Sequence, residues 1–197
     1  MQSALPSAPC LAQSTSRPFT DTIPGRIVLA VAATAFVAVC ARISIPLPFT
    51  PVPLTLQNFA VLLVGLTLGP VAGFAAMALY LVQGAIGMPV FNPHVPGGIL
   101  QLMGPTGGYL LSYPFAAAVA GWAVRSLRTR SLYTRAAMAC SLATLVIFAC
   151  GTIWFAQYQH NLSAVWYMAV APFLPGEVVK IGAAAGIYSS FSRLRRS

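Results

Sequence analysis

The apolar positions of this chain are gathered into long runs, each closed by prolines, glycines or arginines. Ile27 to Ile45 is a run of 19 residues. At about 1.5 Å per residue it is long enough to cross about 30 Å of hydrocarbon, which predicts a first membrane helix. From Leu54 to Val82 the chain stays apolar but is interrupted at Gly69-Pro70, so it reads either as one long tilted helix or as two short ones joined by a tight turn. Three further spans follow. One opens at Gly104-Pro105-Thr106-Gly107-Gly108-Tyr109 and runs to Val124, one covers Ala136 to Phe155, and the last covers Ala164 to Tyr188.

Charge chooses between the two readings of the second run. One helix there gives five spans and leaves Arg125, Arg128, Arg130 and Arg135 outside the cell. Two helices give six, and place that cluster inside with Arg193, Arg195 and Arg196, so that nine of the eleven basic residues are cytoplasmic, as the positive-inside rule requires. The prediction is therefore an all-α membrane protein of six transmembrane helices with both termini in the cytoplasm. Leu56 to Leu68 supplies only about 20 Å of helix, so that span must borrow from its flanks or turn below the surface.

The connections are as telling as the spans. Pro46, Pro48, Pro51 and Pro53 exclude helix and predict an extended, polyproline-like outer loop, either a rigid apolar flap over a cavity or a connector. The second outer segment, Gln83 to Pro105, is too rich in glycine and proline for regular helix or strand. Ile86, Met88, Val90, Phe91, Ile99 and Leu102 make it too apolar for a solvated loop, so it is expected to fold back into the bundle. There Asn92 and Gln101 bring hydrogen-bonding groups towards a cavity, while His94 suits an exposed cap. Gln157, Gln159, His160 and Asn161 form a short outer turn. In the first span Ala30, Thr34 and Ala38 recur every four positions as a smooth stripe, which fits close approach of either another helix of the bundle or a separate subunit. Arg42 is the basic residue that breaks the inside bias, and is free to snorkel outward or to meet an anion.

Composition narrows the function. With 58% hydrophobic and 7% charged residues among 197, the chain lacks the polar surface of a soluble globule, and six spans leave no room for a nucleotide-binding domain. The P-loop pattern is absent, because Lys180 follows Val179 rather than glycine. Work driven by ATP must come from partners. The net charge of +9 sits at the ends of apolar runs, not among aromatics on a polar face, so nucleic acid is not a partner. Cys10, Cys40, Cys140 and Cys150 have no metal or redox spacing and read as small hydrophobes. Residues 1–25, rich in Ser, Pro and Thr, form a flexible cytoplasmic tail ahead of a single membrane domain, 26–197.

One stretch carries chemistry. Pro175-Gly176-Glu177-Val178-Val179-Lys180 lies within the last apolar run and holds the only glutamate and the only lysine of the protein. A spacing of three sets both on one helical face. Charges at membrane depth face a bundle interior and mark a ligand or ion pathway, or else form a structural ion pair. A membrane enzyme using Glu177 as acid or base finds no support in HExxH, in a nucleophile with its base, or in a metal-ligand cluster.

Taken together, Ile43-Ser44-Ile45-Pro46-Leu47-Pro48, Leu56-Gln57-Asn58, Leu68-Gly69-Pro70, Gly87-Met88-Pro89-Val90-Phe91, Gly104 to Tyr109 and Pro172 to Lys180 resemble the BioY family, the substrate-binding S components of biotin energy-coupling-factor (ECF) transporters. The likeness covers residues 26 to 190. It implies six helices around a ligand cavity near the outer face, capture of biotin from outside the cell, and import energised by a transmembrane T component with paired ATPases. It implies no cofactor and no metal. Glu177 and Lys180 occupy the positions that meet the head of the vitamin, with glutamate in place of the usual aspartate. Asn92, Gln57 and Tyr109 are further ligand contacts on this likeness, and Ala30, Thr34 and Ala38 face the T component. The loop arginine common in the family is replaced here by Asn92-Pro93-His94-Val95-Pro96-Gly97-Gly98. A binder of the same type for another vitamin or small precursor is the alternative.

Overall fold

A computed structural model describes residues 23–194 apart from 96 and 160. Nearly all of the expected tail, and His160 of the outer turn, lie outside the described residues. Among the described residues, eight helices and one two-stranded ribbon follow in the order α1 Ile23–Arg42, β1 Ser44–Ile45, β2 Leu54–Thr55, α2 Gln57–Leu68, α3 Pro70–Ala85, α4 Ile99–Met103, α5 Gly107–Ser126, α6 Leu132–Phe155, α7 Leu162–Ala169 and α8 Leu174–Leu194. Two of them, α1 and α6, are by themselves long and apolar enough to cross a bilayer, and α7 with α8 form a third such unit bent by 43°.

The bundle is apolar on both sides. Its core contains Val37, Leu62, Leu66, Met77, Tyr80, Ile147 and Phe155, while Val39, Trp122, Leu145, Ile153, Ile187 and Phe191 stand exposed around its perimeter. Such a perimeter suits lipid and not water. α5 is the central helix, packed against α6, α3 and α2. It approaches α2 almost backbone to backbone, because a Cβ on Gly65 would lie 2.5 Å from the Ala117 carbonyl oxygen and one on Gly121 would lie 2.5 Å from the Gly69 carbonyl carbon. Small residues allow this contact, which gains dispersion energy where the hydrophobic effect between helices is weak.

The break at Gly69-Pro70 is the two-helix solution. Gly69 has φ +84°, a conformation that glycine adopts without a side-chain clash, and Pro70 opens α3 where no amide donor is needed. Four expectations are corrected. The first helix begins at Ile23 and ends at Arg42, so its start takes in residues assigned to the tail, and the chain beyond it is not polyproline-like throughout. Ser44 and Ile45 pair antiparallel with Thr55 and Leu54, closing the proline-rich loop into a ribbon. Pro46 disfavours helix at the residue before it, which favours this extended start. The second outer segment does contain a helix, α4, since Ile99-Leu100-Gln101-Leu102-Met103 is a glycine- and proline-free window between Gly98 and Gly104. Finally, the last span is not continuous: Val170 to Phe173 interrupts it, and Glu177 stands in the first turn of α8, not in the middle of a span.

Candidate functional site

The interruption before α8 creates the site. Ending α7 leaves orphan carbonyls, and side chains from two other elements satisfy two of them: Thr50 Oγ1 donates to the Met168 carbonyl at 2.8 Å and Tyr109 Oη to that of Ala169 at 2.6 Å. The proline-rich loop and α5 are thereby tied to the break. α8 then restarts with Glu177 and Lys180 turned inward, 3% and 8% exposed, while Val178 and Val179 between them are each 70% exposed on the outer surface. The pair faces the bundle interior.

Lys180 Nζ donates to Glu177 Oε1 at 2.7 Å, and Asn58 Nδ2 on α2 donates to the same oxygen at 3.1 Å. Tyr113 Oη on α5 donates to Asn58 Oδ1 at 2.9 Å, so three helices converge on one carboxylate. Its second oxygen, Oε2, is buried and has no partner.

These groups border a small cavity of about 50 Å³, lined also by Val52, Pro53, Tyr109, Leu110, Phe148 and Phe173. Gln57, Asn92, Gln101 and Thr106 complete its polar lining. Four of the lining residues carry a buried polar atom without a partner: Glu177 Oε2, Asn92 Nδ2, Gln101 Oε1 and Thr106 Oγ1. Unpaired buried polar atoms are costly, so their convergence on one hollow marks a place where a polar ligand completes the hydrogen bonding.

The structure brings all five expected ligand residues, Glu177, Lys180, Asn92, Gln57 and Tyr109, to this cavity. Gln57 and Tyr109 also have structural duties there. Gln57 Nε2 donates to Tyr80 Oη at 2.9 Å, and Tyr80 in turn holds the Val90 carbonyl at 2.8 Å. Asn92 Oδ1 accepts the His94 amide at 2.9 Å, which fixes the loop, while His94 itself is exposed. Asn58, Tyr113 and Thr106 were not expected. Asn58 adjoins Gln57 in sequence, and Tyr113 follows Tyr109 by one helical turn, so nearness to an expected residue is the one signal the sequence offers for them. Of the small-residue stripe, Thr34 is sealed inside at 3% exposure, while Ala30 and Ala38 are half-buried against the core and keep an edge at the surface.

The comparisons with known proteins agree with one another. The profile of the BioY family matches residues 13–197. The chain belongs to the BioY family. It is 38% identical over 150 residues, 76% of this chain and 85% of the other, to a probable biotin transporter BioY of Pyrococcus horikoshii. It is 36% identical over 162 residues, 82% of this chain and 92% of the other, to the biotin transporter BioY of Thermotoga maritima. Among solved structures, the S-component for biotin from an ECF-type ABC transporter superposes with a TM-score of 0.76 at 26% identity, covering 87% of this chain and 91% of that one. This BioY chain is thus a membrane protein built like an S component of a transporter.

Proposed function

We propose that this chain is the substrate-binding subunit of a biotin importer, a binding protein and not an enzyme, which captures the vitamin from outside the cell. The observation that carries the proposal is the buried Glu177–Lys180 pair, with one carboxylate oxygen unpartnered, beside a hollow of aromatic and aliphatic walls. A cyclic urea presents two N–H donors and one carbonyl acceptor. Glu177 Oε2 suits a donor, the remaining protons of Lys180 and the Asn92 amide suit the carbonyl, and Phe148, Phe173 and Leu110 suit the thioether ring and alkyl chain.

Sites for molecules of this size occupy about 300–1,000 Å³, so a hollow of about 50 Å³ must widen to admit the ligand. Val52 and Pro53 of the proline-rich ribbon form part of its wall, and lifting that flap is the way in. With six crossings, α7 and α8 counted as one, the positive-inside rule favours the flap outside and Arg125, Arg128, Arg130 and Arg193 in the cytoplasm of a cell-membrane protein. Import is energised by a T component and paired ATPases. On α1 such a partner meets the edges of Ala30 and Ala38 and the outward residues Val28, Ala32 and Val39, rather than Thr34. Titration of the purified protein with labelled biotin tests the proposal: saturable binding below micromolar is expected, and none rejects it.

A further inference from the structure

A second, wider hollow of about 460 Å³ lies beside the first, lined by Arg42, Gly87, Met88, Pro89, Phe91 and Asn92 among others. Asn92 borders both hollows. Their proximity also follows from the backbone: Ser44, two residues beyond Arg42, donates its hydroxyl to Asn92 Oδ1 at 3.4 Å, and its strand partner Thr55 lines the first hollow. The charges of the two are unequal. In the first, Lys180 is spent on Glu177, so the lining is neutral overall. In the second, Arg42 is the charged residue of the lining, and among the described residues no acid lines it.

Arg42 is held in place without being neutralised. Nη2 donates to the Pro89 carbonyl at 2.7 Å, which anchors the guanidinium to the second outer segment. A guanidinium carries five N–H donors in a fixed fork, so four remain after this bond, enough for bidentate capture of a carboxylate. Biotin has the matching shape, with a neutral urea head at one end of an alkyl chain and a carboxylate at the other. Resting on the proposed function, we infer that Arg42 receives the carboxylate end of the ligand in the outer hollow while Glu177 and Lys180 hold its head. The ligand then runs past Asn92 from one hollow into the other.

A ligand-by-variant comparison tests this. Biotin and its uncharged primary amide are titrated into wild-type protein and Arg42→Gln. The expected result is a loss of about tenfold in biotin affinity in the variant, with the amide unchanged. Equal biotin affinity in the two proteins overturns the inference, and so does an equal loss for both ligands, which reports a structural role. Should Arg42→Gln fail to fold, the wild type alone decides: biotin must bind more tightly than its amide, and equal binding overturns the assignment. Failure of biotin itself to bind the wild type refutes the proposed function, an outcome distinct from those above.

Discussion

Lys180→Met removes one charge from a buried pair and leaves the volume nearly unchanged. Two consequences follow and must be kept apart. The Glu177 carboxylate, 3% exposed, retains the Asn58 amide as its remaining hydrogen-bond donor. Breaking one side of a buried ion pair costs about 3–5 kcal/mol, so the variant is expected to unfold at a clearly lower temperature. The ligand also loses a cationic donor, worth about 1.5–3 kcal/mol, which converts to a loss of about 10- to 150-fold in affinity. Combining Lys180→Met with Glu177→Gln removes both charges and recovers most of the stability, since a neutral replacement of a whole pair is often tolerated. The recovery does not extend to binding. Thermal unfolding and labelled-biotin titration on the same preparations separate the two effects. Wild-type affinity in the folded double variant refutes the reasoning, because the pair would then be structural and nothing more.

Three further outcomes are expected. Asn58→Ala removes the second donor to Glu177 and the acceptor of Tyr113, and should weaken biotin by about tenfold, with Tyr113→Phe milder, as read by titration. Gly121→Ala drives a Cβ to 2.5 Å from the Gly69 backbone and should lower the unfolding temperature markedly, whereas Gly186→Ala, with nothing within 4 Å, should be neutral or slightly stabilising. Thr50→Val cuts the bond from the flap to the Met168 carbonyl and should speed dissociation of bound biotin up to about tenfold, measured by chase with unlabelled ligand.

What the chain announced in advance depended on whether the cause was local. The break at Gly69-Pro70 was legible because a glycine and a proline carry their backbone preferences wherever they stand. Glu177 and Lys180 were legible because charge in an apolar run has few other uses. The ribbon of Ser44–Ile45 with Leu54–Thr55 was not, since two-residue strands are defined by their pairing and by nothing in themselves. The interruption of the last span was masked because Val170 to Phe173 is as apolar as the helices it separates, even though Pro172 stands within it. Asn58 and Tyr113 escaped for a different reason: Asn58 meets Glu177 across 119 positions of sequence, and a contact of that range leaves no periodic trace.

The cancellation of charge between Glu177 and Lys180 reaches beyond affinity. With the pair silent, the Arg42 guanidinium sets the charge of the site. On the Arg42 assignment it cancels a monoanionic cargo, so the loaded site crosses without electrical work, whereas returning the emptied site outward against an interior-negative potential moves one positive charge uphill by about 2.3 kcal/mol per 100 mV. The potential then opposes the reset and not the delivery, and that step requires fuel from another source.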